Sequence, residues 1–245
     1  DSYIVYRSEK TGSKWTKWTV LGTTGEAKNS WLDDKIVSGV TYRYAIRAVD
    51  NKIKSGYVAT DGMIFLEQPT LTISNTVAGI TGTWEKVDGA KGYTIYRSEL
   101  VNGKWTKWVN LGTTKETAKS FTDKTAVSGK TYRYTVRAVN GDNKSLYTAS
   151  NTLLYLAEPT VTIANAKTGI AVKWTKSGGA KGYTVYRSEY NASTKKWSSW
   201  KSIATTGSSS TSLTDKTAKS GGTYRYTVRA VNEKVMSTFT ASATL

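Results

Sequence analysis

The chain has no cysteine and no histidine, and only two prolines. Without cysteine there are no disulfides and no thiol nucleophiles. Without histidine there are no His-ligated metal sites and no Ser-His-Asp triad. No run of 18 apolar residues occurs, so no segment reads as a membrane-spanning helix. No signal peptide opens the chain, and Asp1 reads as a cut inside a longer polypeptide. A helical period is missing throughout. Acidic residues are scarce beside basic ones, 18 against 35, which leaves a net charge of +17. That balance favours anionic partners: a cell-wall polymer, a membrane surface, an acidic protein or a nucleic acid. It equally suits the solubility of a long surface protein.

What is present is repetition. GYTIYRSE at 92–99 returns as GYTVYRSE at 182–189 and as SYIVYRSE at 2–9, so Tyr3, Tyr93 and Tyr183 stand 90 residues apart. A second landmark follows each copy: TYRYAIRAVD at 41–50, then TYRYTVRAVN at 131–140 and again at 223–232. The extra two residues of the third copy fall in its first hairpin, at 190–197. A fixed long period means an array of like domains. The expected boundaries are 1–68, 69–158 and 159–245.

Each copy alternates as strands do. Tyr93 and Ile95 face one way, Thr94 and Tyr96 the other. Asn102-Gly103 is a hairpin turn, and 104–111 is the return strand, broken by Gly112-Thr113-Thr114. Short strands follow at 120–124, 30–34 and 212–216. Residues 131–140 form the longest strand, and 145–156 the last. Residues 70–86 and 160–176 each give two strands around a turn, opened by Pro69 or Pro159 and ending near Trp84 or Trp174. About seven short strands per unit, with frequent turns, predict an antiparallel β-sandwich.

The pattern Pro…Trp…Gly-Tyr-x-Val/Ile-Tyr-Arg…Tyr-x-Tyr-x-Val-x-Ala-Val-Asn resembles fibronectin type III domains of the sort found in tandem in bacterial surface and secreted proteins. The resemblance covers nearly the whole chain. It implies an all-β fold of tandem seven-strand, immunoglobulin-like sandwiches. It also implies that Trp84 and Trp174 are core residues of strand B, and that Tyr93 and Tyr183 belong to strand C. Tyr42, Tyr132 and Tyr224 match the corner tyrosine of strand F, whose hydroxyl bonds backbone upstream. The first copy lacks strands A and B, so its short strand around 30–33 has no sheet neighbours and an open edge invites pairing with another chain. Truncation or proteolysis, or a neighbouring molecule over the gap, accounts for it. The Arg-Gly-Asp loop of some family members is absent.

Chemistry is sparse. The repeated Asp33, Asp123 and Asp215 sit at turns, where an Asx-type cap is the ordinary role. No phosphate-binding loop precedes a helix. The chain is not expected to be an enzyme, and no cofactor is expected. Strand parity places Tyr96, Arg133 and Arg137 on an outer face, with Tyr186, Arg225 and Arg229, and Tyr6, Arg43 and Arg47, in the same places. Each tyrosine is expected to stack beside guanidinium groups of the next strand, either as a cross-strand support or as a recognition face. Trp15/Trp18, Trp105/Trp108 and Trp197/Trp200 are spaced i, i+3, so one of each pair should point inward and one onto the basic face, among Lys14, Lys17, Lys104, Lys107 and Lys196. The whole reads as a non-catalytic region of a bacterial surface or secreted protein: an extended spacer and an adhesive module. The expected partners are a host protein, immunoglobulins by family habit, or an anionic polysaccharide of a cell wall. The alternatives are a pure stalk or the polysaccharide-binding part of a secreted enzyme. Nucleic acid is the weakest fit, since no recognition helix or RNA-binding aromatic motif is present.

Overall fold

The computed structural model describes residues 2–245, and all regular structure among them is β-strand. The second copy shows the plan most fully. One sheet joins Thr72–Thr76, Gly79–Thr83 and Ser120–Asp123, with Gly79–Thr83 in the middle. The facing sheet is built on the pair Gly92–Val101 and Thr131–Asn140, antiparallel with Ile95 opposite Val136 and Tyr96 opposite Thr135. Val109–Lys115 extends it on one side, and Asn143–Lys144 and Leu153–Leu154 on the other. Asn102 and Gly103 both take positive φ (48° and 74°), as a tight hairpin between twisted strands demands.

The inward residues of both sheets meet in one core. Trp84, Tyr93, Ile95, Tyr132, Tyr134 and Val136 are all buried there, and the Trp84 ring tilts against Tyr93 at 5.3 Å. Val127 N–H donates to the Tyr132 hydroxyl at 3.1 Å, and Val37 and Lys219 do the same for Tyr42 and Tyr224. The third copy repeats the plan around Trp174, Tyr183, Tyr224 and Tyr226.

The first copy has one sheet only, built on Ser2–Thr11 and Thr41–Asp50. Its inner face is open. Tyr3 is 37% exposed and Ile46 54%, where their counterparts Tyr93 and Val136 are 0% and 1%. Without a partner strand, the expected strand at 30–34 does not form: Trp31 and Leu32 lie exposed in irregular chain. The face is left as a cleft of about 520 Å³ lined by Tyr3, Val5, Trp31, Tyr44 and Ile46, among others.

Two further expectations are corrected. The return strand does not stop at Gly112; it bulges between Asn110 and Gly112, where Gly112 takes φ 127° and Asn110 Oδ1 accepts its N–H, then runs on to Lys115. The last strand is not continuous over 145–156. Only Asn143–Lys144 and Leu153–Leu154 pair as backbone ladders. Between them serine hydroxyls replace carbonyls, accepting from Ala138 N–H (Ser145 Oγ) and Tyr134 N–H (Ser150 Oγ), each at 3.0 Å. The segment thus follows its neighbour while its own chain stays irregular.

Candidate functional site

On the outer face of each two-strand pair lies a ladder of cations and rings. In the second copy the Arg133 guanidinium sits 4.4 Å from the Trp105 ring centre and 5.0 Å from Trp108. Trp108 meets Tyr147 edge-on at 6.1 Å, and Arg137 lies 5.4 Å from Tyr147. The third copy stacks Trp197, Arg225, Trp200, Phe239 and Arg229 in the same order. The first stacks Trp15, Arg43, Trp18, Tyr57 and Arg47.

This corrects the parity argument for the tryptophans: both members of each pair lie on the outer face. Lys104–Trp105 is a strand, residues 106–108 are not, and a strand resumes at Val109. Three irregular residues reset the alternation. They are held in place by Thr106, whose N–H donates to the Glu99 carbonyl and whose hydroxyl accepts from the Glu99 N–H, both at 3.0 Å. Thr16 and Ser198 repeat the device in the other copies.

The partners of the arginines differ from expectation too. Register puts Tyr96 opposite Thr135, between Arg133 and Arg137. The guanidiniums turn away from it, toward the tryptophans on one side and Tyr147 on the other. Tyr6, Tyr96 and Tyr186 are half-buried and stack on none of these arginines among the described residues. Arg137 is also anchored: its Nε donates to the Ser145 carbonyl at 2.7 Å, as Arg229 does to Ser237. The ladder therefore covers the sheet. Thr94 and Thr135, on the same face, are buried beneath it at 6% and 1%.

Charge remains on this surface. Among the described residues the lysines in ion pairs are Lys91, Lys119, Lys130 and Lys181. Lys14, Lys17, Lys104, Lys107 and Lys196, which flank the tryptophans, are exposed and in none. In the second copy the ladder encloses a cleft of about 140 Å³ lined by Tyr96, Trp108, Thr135, Arg137 and Tyr147. The Thr135 hydroxyl is buried without a hydrogen-bond partner, as is that of Thr227 in the third copy.

A second polar constellation was not foreseen. Asp123, 2% exposed, accepts from Arg97 Nη1 at 2.7 Å and from the Tyr134 hydroxyl at 2.8 Å with one oxygen. Its other oxygen caps the turn through the Thr125 N–H and hydroxyl. Arg97 also lies 5.0 Å over the Tyr132 ring. Burial alone would raise the Asp123 carboxyl, but the bonds from Thr125, Arg97 and Tyr134 outweigh it and hold the group below the usual carboxylate range. Tyr134 is pushed well above the ordinary phenol range, by burial first and then by its bond to Asp123. Arg187, Asp215 and Tyr226 repeat the arrangement, and Arg7, Asp33 and Tyr44 keep it even in the open first copy. The signal was available: Arg97 occupies an inward position of its strand, in line with Tyr93 and Ile95, and both it and the aspartate recur in every copy. An inward arginine needs a buried partner. The repeated aspartate is thus a turn cap and the inter-sheet partner of an arginine.

With two packed sheets, a buried tryptophan and a corner tyrosine in place, the middle of the chain can be set beside known domains. Residues 68–150 match the family model described as the fibronectin type III domain, SaeA third domain. The fold is all-β throughout the described residues, with two sheets in the second and third copies and one in the first. No curated protein matches the chain. Similar solved structures include a two-domain fibronectin type III segment of chicken tenascin, 17% identical with a TM-score of 0.39, covering 73% of this chain and 99% of that one. Domains FN1–FN3 of chicken CNTN1 are 14% identical with a TM-score of 0.32, covering 100% and 88%. The chicken interferon gamma receptor alpha chain is 11% identical with a TM-score of 0.40, covering 73% and 97%. At these scores the likenesses say nothing of function. The fibronectin type III scaffold is typically a non-catalytic module, and no helix among the described residues is long and apolar enough to cross a membrane.

Proposed function

We propose that this chain is the tandem-repeat region of a bacterial surface or secreted protein, divided at 1–68, 69–158 and 159–245, and that it is a non-catalytic spacer that also presents an adhesive face. The observation that supports the spacer is the joint between copies, which is built twice in the same way. The Ser38 hydroxyl donates to the Asp88 carbonyl and the Ser128 hydroxyl to that of Gly178, each at 2.8 Å. The next residue is a glycine with positive φ facing another glycine: a methyl group on Gly89 would meet the Gly39 Cα at 2.3 Å, and one on Gly179 the Gly129 Cα at 2.3 Å. Leu66 and Leu156, on the connecting segments, are buried in the cores of the copies that follow them. Direct backbone apposition, a hydrogen bond and a buried leucine make a stiff hinge, and stiffness is what a spacer requires.

The chain has no cysteine, so Lys107→Cys and Ser199→Cys, both at exposed positions of neighbouring copies, give a clean spin-label pair. A narrow interspin distance distribution is expected, and Gly179→Ala should broaden it. A broad distribution in the parent chain would refute the spacer.

A second reading, capture of a host protein or an anionic polysaccharide by the ladder face, is supported by the unneutralised lysines beside half-exposed tryptophans. Repetition would add avidity to a weak site. The non-catalytic reading is supported by the employment of the repeated aspartate, whose carboxylate is fully committed to arginine, tyrosine and turn.

A further inference from the structure

We propose that the cleft in the second copy, between Tyr96, Trp108, Arg137 and Tyr147 with Thr135 at its floor, binds one uronic acid residue of an acidic polysaccharide. This rests on the ligand-capturing reading of the face and names its ligand class.

Three observations converge on it. The first is size and wall chemistry. About 140 Å³ bounded by three aromatic side chains takes a single sugar ring, whose C–H faces lie against ring faces, and leaves no room for a folded loop. The second is Arg137. Its Nε is spent on the Ser145 carbonyl, which fixes the fork, while its two terminal nitrogens have no partner among the described residues. A fixed, open guanidinium edge is the geometry that receives a carboxylate through two parallel bonds. The third is Thr135. Its residue is 1% exposed and its hydroxyl has no partner, which costs stability in the free protein. A ligand rich in hydroxyls supplies the missing bond; the carboxylate of a peptide already held by Arg137 does not. The surrounding lysines, Lys104 and Lys107, are exposed and outside every ion pair among the described residues, and they favour a ligand with a charge on each sugar.

The copies grade the prediction. The third keeps the hydroxyl as Thr227 but has Phe239 where the second has Tyr147. The first keeps Tyr57 but has Ala45 where the second has Thr135. The second copy alone holds the complete set.

The test uses the 245-residue chain and three probes at physiological salt: a glucuronic acid tetrasaccharide, the same sugar with its carboxyls reduced to alcohols, and a short poly-glutamate. Calorimetry gives affinity and thermal melting gives stability. The acidic sugar should bind, and both other probes should bind about tenfold more weakly or worse, the scale of a lost charge-assisted bond. Thr135→Val is isosteric and removes the orphan hydroxyl. It should weaken the sugar several-fold while leaving the melting temperature equal or higher, opposite signs that a packing role would not give. Tyr147→Ala, at an exposed ring, should also weaken it. If the sugar binds but neither variant matters, the cleft is refuted while the adhesive face stands. If poly-glutamate equals the sugar, an acidic protein surface replaces the polysaccharide and the proposal falls. If no probe binds, the proposal falls and the spacer, read by interspin distance, is untouched.

Discussion

Replacing Asp123 by asparagine keeps the shape of the side chain and removes its charge. The consequence can be worked out from the contacts. The carboxylate accepts from Arg97, Tyr134 and Thr125 at 2.7–2.9 Å and is 2% exposed. Asparagine offers one acceptor oxygen where the carboxylate offered two, and its amide N–H₂ confronts either the guanidinium or the Thr125 N–H. Arg97, with a side chain 19% exposed, is left charged over the Tyr132 ring with no counter-ion. Breaking a buried pair from one side costs about 3–5 kcal/mol. The partial exposure of Arg97 places this case at the lower end, about 3 kcal/mol. That corresponds to roughly a hundredfold loss of amide protection in Gly92–Val101 and Thr131–Asn140, read by native-state hydrogen exchange. Exchange resolves the copies separately, so the third copy is an internal control. Asp215→Asn should act alike there. Asp33→Asn should cost less, because Arg7 keeps a second partner in Glu9 at 2.9 Å. The acid limb gives a further check. The folded carboxyl is held below its ordinary value, so its contribution is complete above about pH 4 and is lost as pH falls through the lowered value. The variant should lose that steepness in the second copy only. Tyr134, raised above its ordinary value, contributes below about pH 10 and loses its contribution as pH climbs past that point. A protection loss under tenfold in the variant would show that the ion pair is ornamental and the account of the inter-sheet contact wrong.

Two other outcomes are expected. Trp84→Ala, at a ring 4% exposed and packed on Tyr93, should destabilise the second copy by about 3–5 kcal/mol; a loss under about 1 kcal/mol would contradict its place in the core. In the parent chain, Ser2–Thr11 should exchange its amides much faster than Gly92–Val101 or Gly182–Asn191, because its sheet is bare on the inner side; equal protection in all three would mean that another molecule covers the open face.

Most of the fold was legible because it depends on local alternation and on repetition. Tyr132, Tyr134 and Val136 against Arg133 and Arg137 specify which face of a strand is buried, and the register that follows admits one core. The corner tyrosine was legible through the family resemblance, which implied a bond between its hydroxyl and backbone upstream, and the Val127 N–H makes that bond. Failures came where a side chain replaced the backbone. Thr106 completes the pairing of Glu99 across a break, and Ser145 and Ser150 complete that of Ala138 and Tyr134. Hydroxyls that imitate a ladder leave no trace in alternation. Each shifted the reading of what came next: a tryptophan assigned to the wrong face, a strand drawn too long. The open first copy failed differently. SWLDD has the same pattern as SFTDK, but a strand is a property of a pair, and Gly79–Thr83 has no counterpart beside residues 30–34.

The ladder shows why the site was harder to read than the fold, and where its selectivity must lie. The members that hold it together are the same in all copies: Trp15, Trp105 and Trp197; Arg43, Arg133 and Arg225; Trp18, Trp108 and Trp200. An arginine between two rings is explained by the sheet it covers, so its repetition says nothing about a ligand. The positions in and beside the cleft vary instead: Thr135 is kept as Thr227 but is Ala45 in the first copy, Tyr147 is kept as Tyr57 but is Phe239 in the third, and Asn110, opposite Tyr96, is Val20 or Ser202. None of these substitutions disturbs the stacking beside it. A scaffold that holds its rungs fixed while the floor and rim between them vary separates support from recognition. Differences in selectivity between the copies therefore reside in the three positions that differ, while the preference for a carboxylate, carried by Arg137 and its counterparts Arg47 and Arg229, is common to all.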